Sequence, residues 1–145
     1  MPDANGTMSA EELRAFLDVT HLAIMTTNGA NGMPHSTPVW YLAEDDGAIS
    51  VIVLKDAIKL RNLARDPLVS ITIAPETRPY AYARYRGTAT VHYEDVDEYP
   101  LVIAQRYLGG KPGEKWLKEQ GQDPFAVIRL HDPSPNTWMD PKPAD

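Results

Sequence analysis

Cysteine is absent from this chain of 145 residues. That removes disulfides, thiolate nucleophiles, zinc ribbons and cysteine-ligated iron–sulfur clusters from consideration. An excess of positive charge is missing too. Twenty acidic residues oppose 14 basic ones, a net of −6 with the four histidines neutral, whereas a nucleic-acid module normally presents a basic domain. The balance still leaves room for a local basic pocket around a small anion. No apolar run is long enough to span a bilayer, and the most apolar one, Ala48–Leu54, has the length of a buried strand. The opening Met1–Met8 is polar and lacks the basic and apolar regions of a signal peptide. The chain therefore reads as soluble and cytoplasmic.

Several chemistries lack their signatures. His21, His35, His92 and His131 are far apart in sequence, without metal-ligand spacing, so no metal site is expected. Gly109-Gly110-Lys111-Pro112 has proline where a phosphate loop needs a hydroxyl, and no strand precedes it. It reads as a helix stop. Ser36 beside His35 is not triad evidence, because neighbours on a strand point to opposite faces. No catalytic side chain is identified.

What remains is an ordinary globular composition, 43% hydrophobic and 23% charged. The whole chain, 1–145, is expected to be one domain, with 1–8 disordered and 132–145 an extended tail carrying four prolines in fourteen residues. Ser9 and Glu12 form a capping box ahead of Leu13, Phe16 and Leu17. Strands are expected over His21–Thr27 and His35–Leu42, joined by a loop with Asn28-Gly29 and Asn31-Gly32. Pro38 places the second of these at an edge or a bulge. Further strands are Ala48–Leu54, Leu68–Ala74, a long Tyr80–His92 bent at Gly87, and Phe125–Leu130. Helices are expected over Ala57–Arg65, Asp95–Leu108 and Glu114–Glu119. Connections of this length make the strands mostly antiparallel, which suggests a mostly β fold, a small barrel with peripheral helices.

Two clusters carry the chemistry. Lys55, Lys59, Arg61 and Arg65 place four cations within eleven residues of an acidic chain, where a buried strand runs into a helix start. Free amide groups and the helix dipole make such a start an anion site. At about 100° per residue, Lys59 and Asn62 share one edge, Leu60, Leu63 and Ala64 form the packed face, and Arg61 and Arg65 project from the far edge. Composition alone favours a solvated basic face paired with Asp56 and Asp66. In the second cluster, Tyr80, Tyr82 and Arg84 share one strand face, with Ala81, Ala83 and Tyr85 on the other. Tyrosines beside small residues can wall a planar ligand, although an amphipathic strand or a dimer contact has the same pattern.

Taken together, these blocks resemble a known family. Leu22–Thr27, Gly32–Trp40, Lys59–Pro67, Val69–Ile71 and Tyr85–Ala89 follow the order and spacing of the pyridoxamine 5′-phosphate oxidase-like split-barrel superfamily. The Lys-x-Arg-Asn-Leu block is most similar to its small coenzyme F420-dependent branch. The resemblance implies a Greek-key split β-barrel of the FMN-binding type, forming a homodimer with cofactor sites at the interface. It implies that Lys59 binds the cofactor phosphate, supported by the backbone at Ala57 and Ile58 and by Arg61. Where some relatives carry a second basic residue, this chain has Ala57, leaving Lys55 as a replacement. Asn62 would hold the helix to the barrel. The strand from His35 to Trp40 would line the ring pocket, chiefly through Thr37 and Pro38, with Ser50 and Ile52 alongside. Tyr80 and Tyr82 would come from the partner subunit, and Trp138 and Met139 would close the pocket.

The implied activity is hydride transfer between the deazaflavin coenzyme F420 and a small conjugated or electron-poor substrate, the ring carrying the reactivity. FMN on the same fold is the alternative cofactor. A third reading is a non-catalytic flavin or haem binder, with His35 or His131 as the haem ligand. No nucleic-acid or membrane partner is expected.

Overall fold

The strands fall into two classes by patterning. In the computed structural model, which describes residues 2–141, β1 (Ala23–Asn28) buries Ala23, Met25 and Thr27 and turns Ile24, Thr26 and Asn28 outward. β5 (Leu68–Ile73) and β6 (Ala81–Thr88) alternate similarly. With β2 (Pro34–Val39) and β9 (Asn136–Met139) they form an antiparallel sheet in the order β2-β1-β5-β6-β9. One face of this sheet lies on the core and the other is left open, which is what period-two alternation dictates.

β4 (Ile49–Leu54) and β8 (Phe125–Leu130) are instead apolar on both faces. Ile49, Val51 and Val53 enter the main core with Ala126, Ile128 and Leu130. Ile52, Phe125 and Val127 face the other way, into a second cluster with Val96 and Ile103. These two strands are the centre of a four-stranded antiparallel sheet, β3-β4-β8-β7, with β3 (Tyr41–Ala43) and β7 (Thr90–His92) at its edges. The two sheets make the split β-barrel.

Two strands expected to be continuous are each divided between the sheets. The segment 35–42 breaks at Trp40, because Val39 pairs with Ala23 in the first sheet and Tyr41 with Val51 in the second. The segment 80–92 breaks at Ala89. Gly87, at φ 156°, makes the bend close to Leu130. Pro38 lies on an edge strand, where a missing N–H costs nothing.

Helix α1 (Ala10–Asp18) starts on the expected capping box, with Ser9 Oγ accepting from Glu12 N at 3.1 Å and Glu12 Oε1 accepting from Ser9 N at 2.9 Å. At its far end the carbonyls of Leu17 and Val19 accept from Tyr41 Oη, both at 2.9 Å, and from Arg106, at 2.7 and 3.2 Å. The Arg106 guanidinium also lies 4.9 Å from the Tyr41 ring centre. Burial pushes the Tyr41 hydroxyl up to about 12, so it remains a donor across the whole physiological range.

Both termini differ from expectation. Residues 2–8, expected to be disordered, are laid against β9: Gly6 O accepts from Met139 N at 2.8 Å and Met8 N donates to Thr137 Oγ1 at 3.0 Å. The proline-rich tail is therefore a paired strand at 136–139, with residues 142–145 outside the described range. α3 (Glu98–Leu108) starts three residues later than expected, after Asp95 in a left-handed conformation at φ 58°. α4 (Gly110–Glu119) begins earlier than expected, directly after Gly109 at φ 90°. No helix among the described residues is long and apolar enough to cross a membrane.

α4 is seated on α3 through Gly113, where an added Cβ would stand 2.7 Å from the Gln105 backbone. Gly113→Ala is expected to destabilise the fold by about 1–3 kcal/mol through overpacking, read from urea unfolding midpoints.

Candidate functional site

The helix α2 (Ile58–Arg65) follows β4 through the short link 55–57. Ala57 occupies its N-cap position, makes no side-chain cap, and no acidic residue stands in the first turn. The start is therefore a positive dipole end without a carboxylate of its own. Leu60 and Leu63 are buried as expected, whereas Ala64 is exposed and the third inward position belongs to Asn62, 3% exposed. Asn62 Nδ2 donates to Thr27 Oγ1 on β1 at 3.0 Å, and Asn62 Oδ1 accepts from Arg65 at 3.0 Å. Arg65 also donates to Asn28 O at 3.2 Å. A buried amide thus fixes both the seat and the rotation of the helix.

That rotation aims Lys59 into a cavity of about 480 Å³. Its walls combine Leu22, Val53 and Leu54 with the aromatic rings of Trp40, Trp116 and Phe125. Pro38, Ile52 and Ala57 complete the predicted set found there. Lys59 is half-buried, has no acceptor among the described residues, and its ammonium is held below the usual lysine range by burial. A second cavity of about 570 Å³ lies on the other side of α2, under the β1–β2 loop. It is lined by His35, Ile58 and Arg61, together with Asn62 and Arg65. Thr37, on the same strand as His35 and Pro38, has a buried Oγ1 with no partner, and His35 Nδ1 is likewise buried and unpaired. Unpaired buried polar atoms are uncommon in native folds. His35 brings its unpaired atom to the second cavity, whereas Thr37 lines neither cavity.

The other predicted residues lie elsewhere in this chain. Ser50 is fully buried outside both cavities and donates to Glu44 Oε2 at 2.6 Å. Glu44 also accepts from Tyr99 Oη at 2.7 Å and from Arg129 Nε at 2.8 Å. Burial works against the Glu44 carboxylate, but the bonds from Ser50, Tyr99 and Arg129 outweigh it and hold its pKa down. Lys55 is engaged with Asp123 at 2.8 Å, so it is not a free substitute at Ala57. Tyr80 is exposed, and Tyr82 stacks on Trp138 at 6.4 Å on the far strands β6 and β9. Trp138, expected to close the pocket, instead covers Gly6.

The wall the sequence reading missed is Trp116 with Phe125. Trp116 contacts Trp40 at 5.0 Å and Phe125 at 5.6 Å between ring centres. The available signal was an aromatic on the apolar side of a short helix next to a core strand. A third cavity, about 600 Å³, lies between α1 and the β3–β4 turn. Glu11, Asp45, Asp46 and Asp132 rim it, the wrong sign for a phosphate, and His131 lines it.

Because burial disfavours the charged Lys59, its folded pKa lies below the 10.5 of an unperturbed lysine. Between those two values the unfolded chain holds more protons, so the Lys59 contribution to stability rises with pH in that window. Lys59→Met is expected to leave the ligand-free melting temperature unchanged or higher and to remove that rise, measured by thermal unfolding from neutral pH to above 10.

The family model for pyridoxamine 5′-phosphate oxidase matches residues 9–131. No curated protein matches the sequence. Among solved structures, a conserved hypothetical protein from Mycobacterium tuberculosis superposes with a TM-score of 0.78 at 23% identity, over 96% of this chain and 89% of that one. An F420 reductase gives 0.67 at 16% identity, over 85% and 94%. General Stress Protein 26 from Bacillus anthracis gives 0.66 at 14%, over 92% and 95%. At these identities the structures share the fold. With its family match spanning most of the chain and a split barrel beneath it, this protein belongs to the pyridoxamine 5′-phosphate oxidase family of flavin-binding oxidoreductases.

Proposed function

We propose that the protein is an F420-dependent oxidoreductase that transfers a hydride between the deazaflavin coenzyme and a small conjugated or electron-poor substrate. The observation that carries this reading is Lys59, an ammonium without an acceptor at the uncapped start of α2, inside a cavity walled by apolar and aromatic side chains. A phosphate there would meet a charge already stripped of much of its water, so little of its attraction is spent on desolvation. Family membership and the shared fold of an F420 reductase point the same way.

F420 is preferred over FMN because of the second cavity. Arg61 has no acceptor among the described residues, and Arg65 stands beside it. The deazaflavin coenzyme carries a long polyglutamyl tail, and these two cations supply a groove for carboxylates leading away from Lys59. Pro38 and Ile52 line the Lys59 cavity and keep water from the ring, and His35 lines the second cavity, where its unpaired Nδ1 is available to the polar chain. The bound coenzyme supplies the hydride chemistry.

The same reading includes a homodimer. The open face of the first sheet exposes Leu22 at 54%, Ile24 at 42% and Leu68 at 53%, an apolar surface of the kind that marks an interface. Tyr80 and Tyr82 lie on the same sheet or at its border, outside their own chain's cavities, where they are available to a partner's site. Ile24→Lys is expected to convert a dimer to a monomer in light scattering. A wild-type monomer would remove this part of the proposal.

Titration with oxidised F420 and, separately, with FMN tests the cofactor. Tighter binding of F420 is expected, and Lys59→Ala should weaken it by about 1–3 kcal/mol, the worth of a charge-assisted hydrogen bond. FMN preference would transfer the reading to an FMN enzyme on the same fold. Binding of neither would overturn it.

A further inference from the structure

The cavity at Lys59 has one charged group and a one-sided aromatic wall. No carboxylate lines it, and apart from the Lys59 ammonium its surface is made of aliphatic side chains and three rings. An occupant complementary to both features is a single molecule with an anionic arm and a planar conjugated ring. A saturated ring of equal size would gain the same apolar burial but not the interaction between ring quadrupoles.

The three rings are not equivalent. Trp40 is held on the side of Tyr107, stacked at 4.9 Å and 9°, and Tyr107 is itself hydrogen-bonded to the backbone of Tyr41 and His21. Phe125 is 5% exposed and belongs to the second core cluster. Trp116 is half-buried, is only packed against that cluster, and comes from α4, which is seated on α3 rather than woven into either sheet. Trp40 is likewise half-buried and packed against that cluster, but it is backed by Tyr107, whereas Trp116 borders the cavity from a helix outside both sheets.

We propose that Trp116 is a ring-contact residue, the wall against which the planar ring of the phosphate-bearing cofactor rests, and that it sets the cavity's preference for conjugated over saturated rings. The proposal rests on the cofactor reading given above. It adds a recognition element at the end of the cavity opposite in character to Lys59. The division of labour follows: Lys59 recognises the phosphate whatever the ring, and Trp116 recognises the ring whatever the phosphate.

The two roles separate experimentally. Purified wild-type protein, Lys59→Met, Trp116→Leu, Trp116→Phe and Tyr93→Phe are titrated with F420, with FMN, and with the unphosphorylated ring-bearing core of each, following the cofactor's own fluorescence. Bound rings in wild-type protein should be quenched by contact with an indole. Lys59→Met should weaken the phosphorylated ligands at least fivefold and leave the unphosphorylated cores and the quench unchanged. Trp116→Leu should weaken both kinds of ligand by the same factor, roughly tenfold for about 1.4 kcal/mol of aromatic contact, and relieve part of the quench, the Trp40 indole of the same cavity keeping the rest. Trp116→Phe should restore most of the affinity, which a merely structural loss would not do, and Tyr93→Phe, at an exposed position outside the cavity, should match wild type. If F420 or FMN binds and Trp116→Leu changes neither affinity nor quench, the assignment of Trp116 is overturned while the cofactor reading stands. If neither cofactor binds wild-type protein, the cofactor reading is overturned and this one with it.

Discussion

The hydrogen bond from Asn62 to Thr27 decides where α2 sits, and with it the location of every charged group at the site. An amide at 3% exposure has to find partners, and Asn62 finds one on β1 and one in Arg65 of its own helix. That pins the helix across the mouth between β2 and β4. Its uncapped start then opens toward one cavity through Lys59 and toward another through Arg61, so a short helix separates two cavities.

Around this anchor the two sheets do different work. The first sheet has one buried face and leaves the other open, with Ile24 and Leu68 exposed on it. The second is buried on both faces because the helices α3 and α4 cover its outer side, and that coverage brings Trp116 to the cavity. Polar groups buried along the way are largely paired. The Glu44 cluster with Ser50, Tyr99 and Arg129 is one case. The carbonyls closing α1, which take donors from Tyr41 and Arg106, are another. Against that background a few buried atoms stay unpaired: Thr37 Oγ1 and His35 Nδ1 on β2, and ring or guanidinium nitrogens of His21, Arg84 and Arg106.

Much of the fold was legible because periodicity reports burial. The alternation in β1, β5 and β6, the mainly apolar runs of β4 and β8, broken only by Ser50 and Arg129, and the capping box at Ser9 each carry a local physical signature. Where the chain changes sheets at Trp40 and Ala89, no local signature exists, since Val39 and Tyr41 differ only in which distant strand they meet. The site divides along the same line. Lys59, Pro38, Ile52 and Ala57 are brought together by elements adjacent in the fold. Ser50 has the right strand and the right face but is captured by Glu44, a partner set by tertiary structure. Lys55 is likewise taken by Asp123 across a separation of 68 residues. Trp116 was missed because its role depends on the packing of α4 against α3, which Gly113 permits and sequence spacing does not announce.

The central claim is that Lys59 is a desolvated cation waiting for an anion. The most direct test is the titration of its ammonium by NMR in selectively labelled protein, first alone and then with a saturating phosphate monoester such as FMN or F420. A value below 10.5 is expected in the free protein, with a rise on binding, as the anion restores the charged form. An ordinary lysine value that does not move when the ligand binds would contradict it.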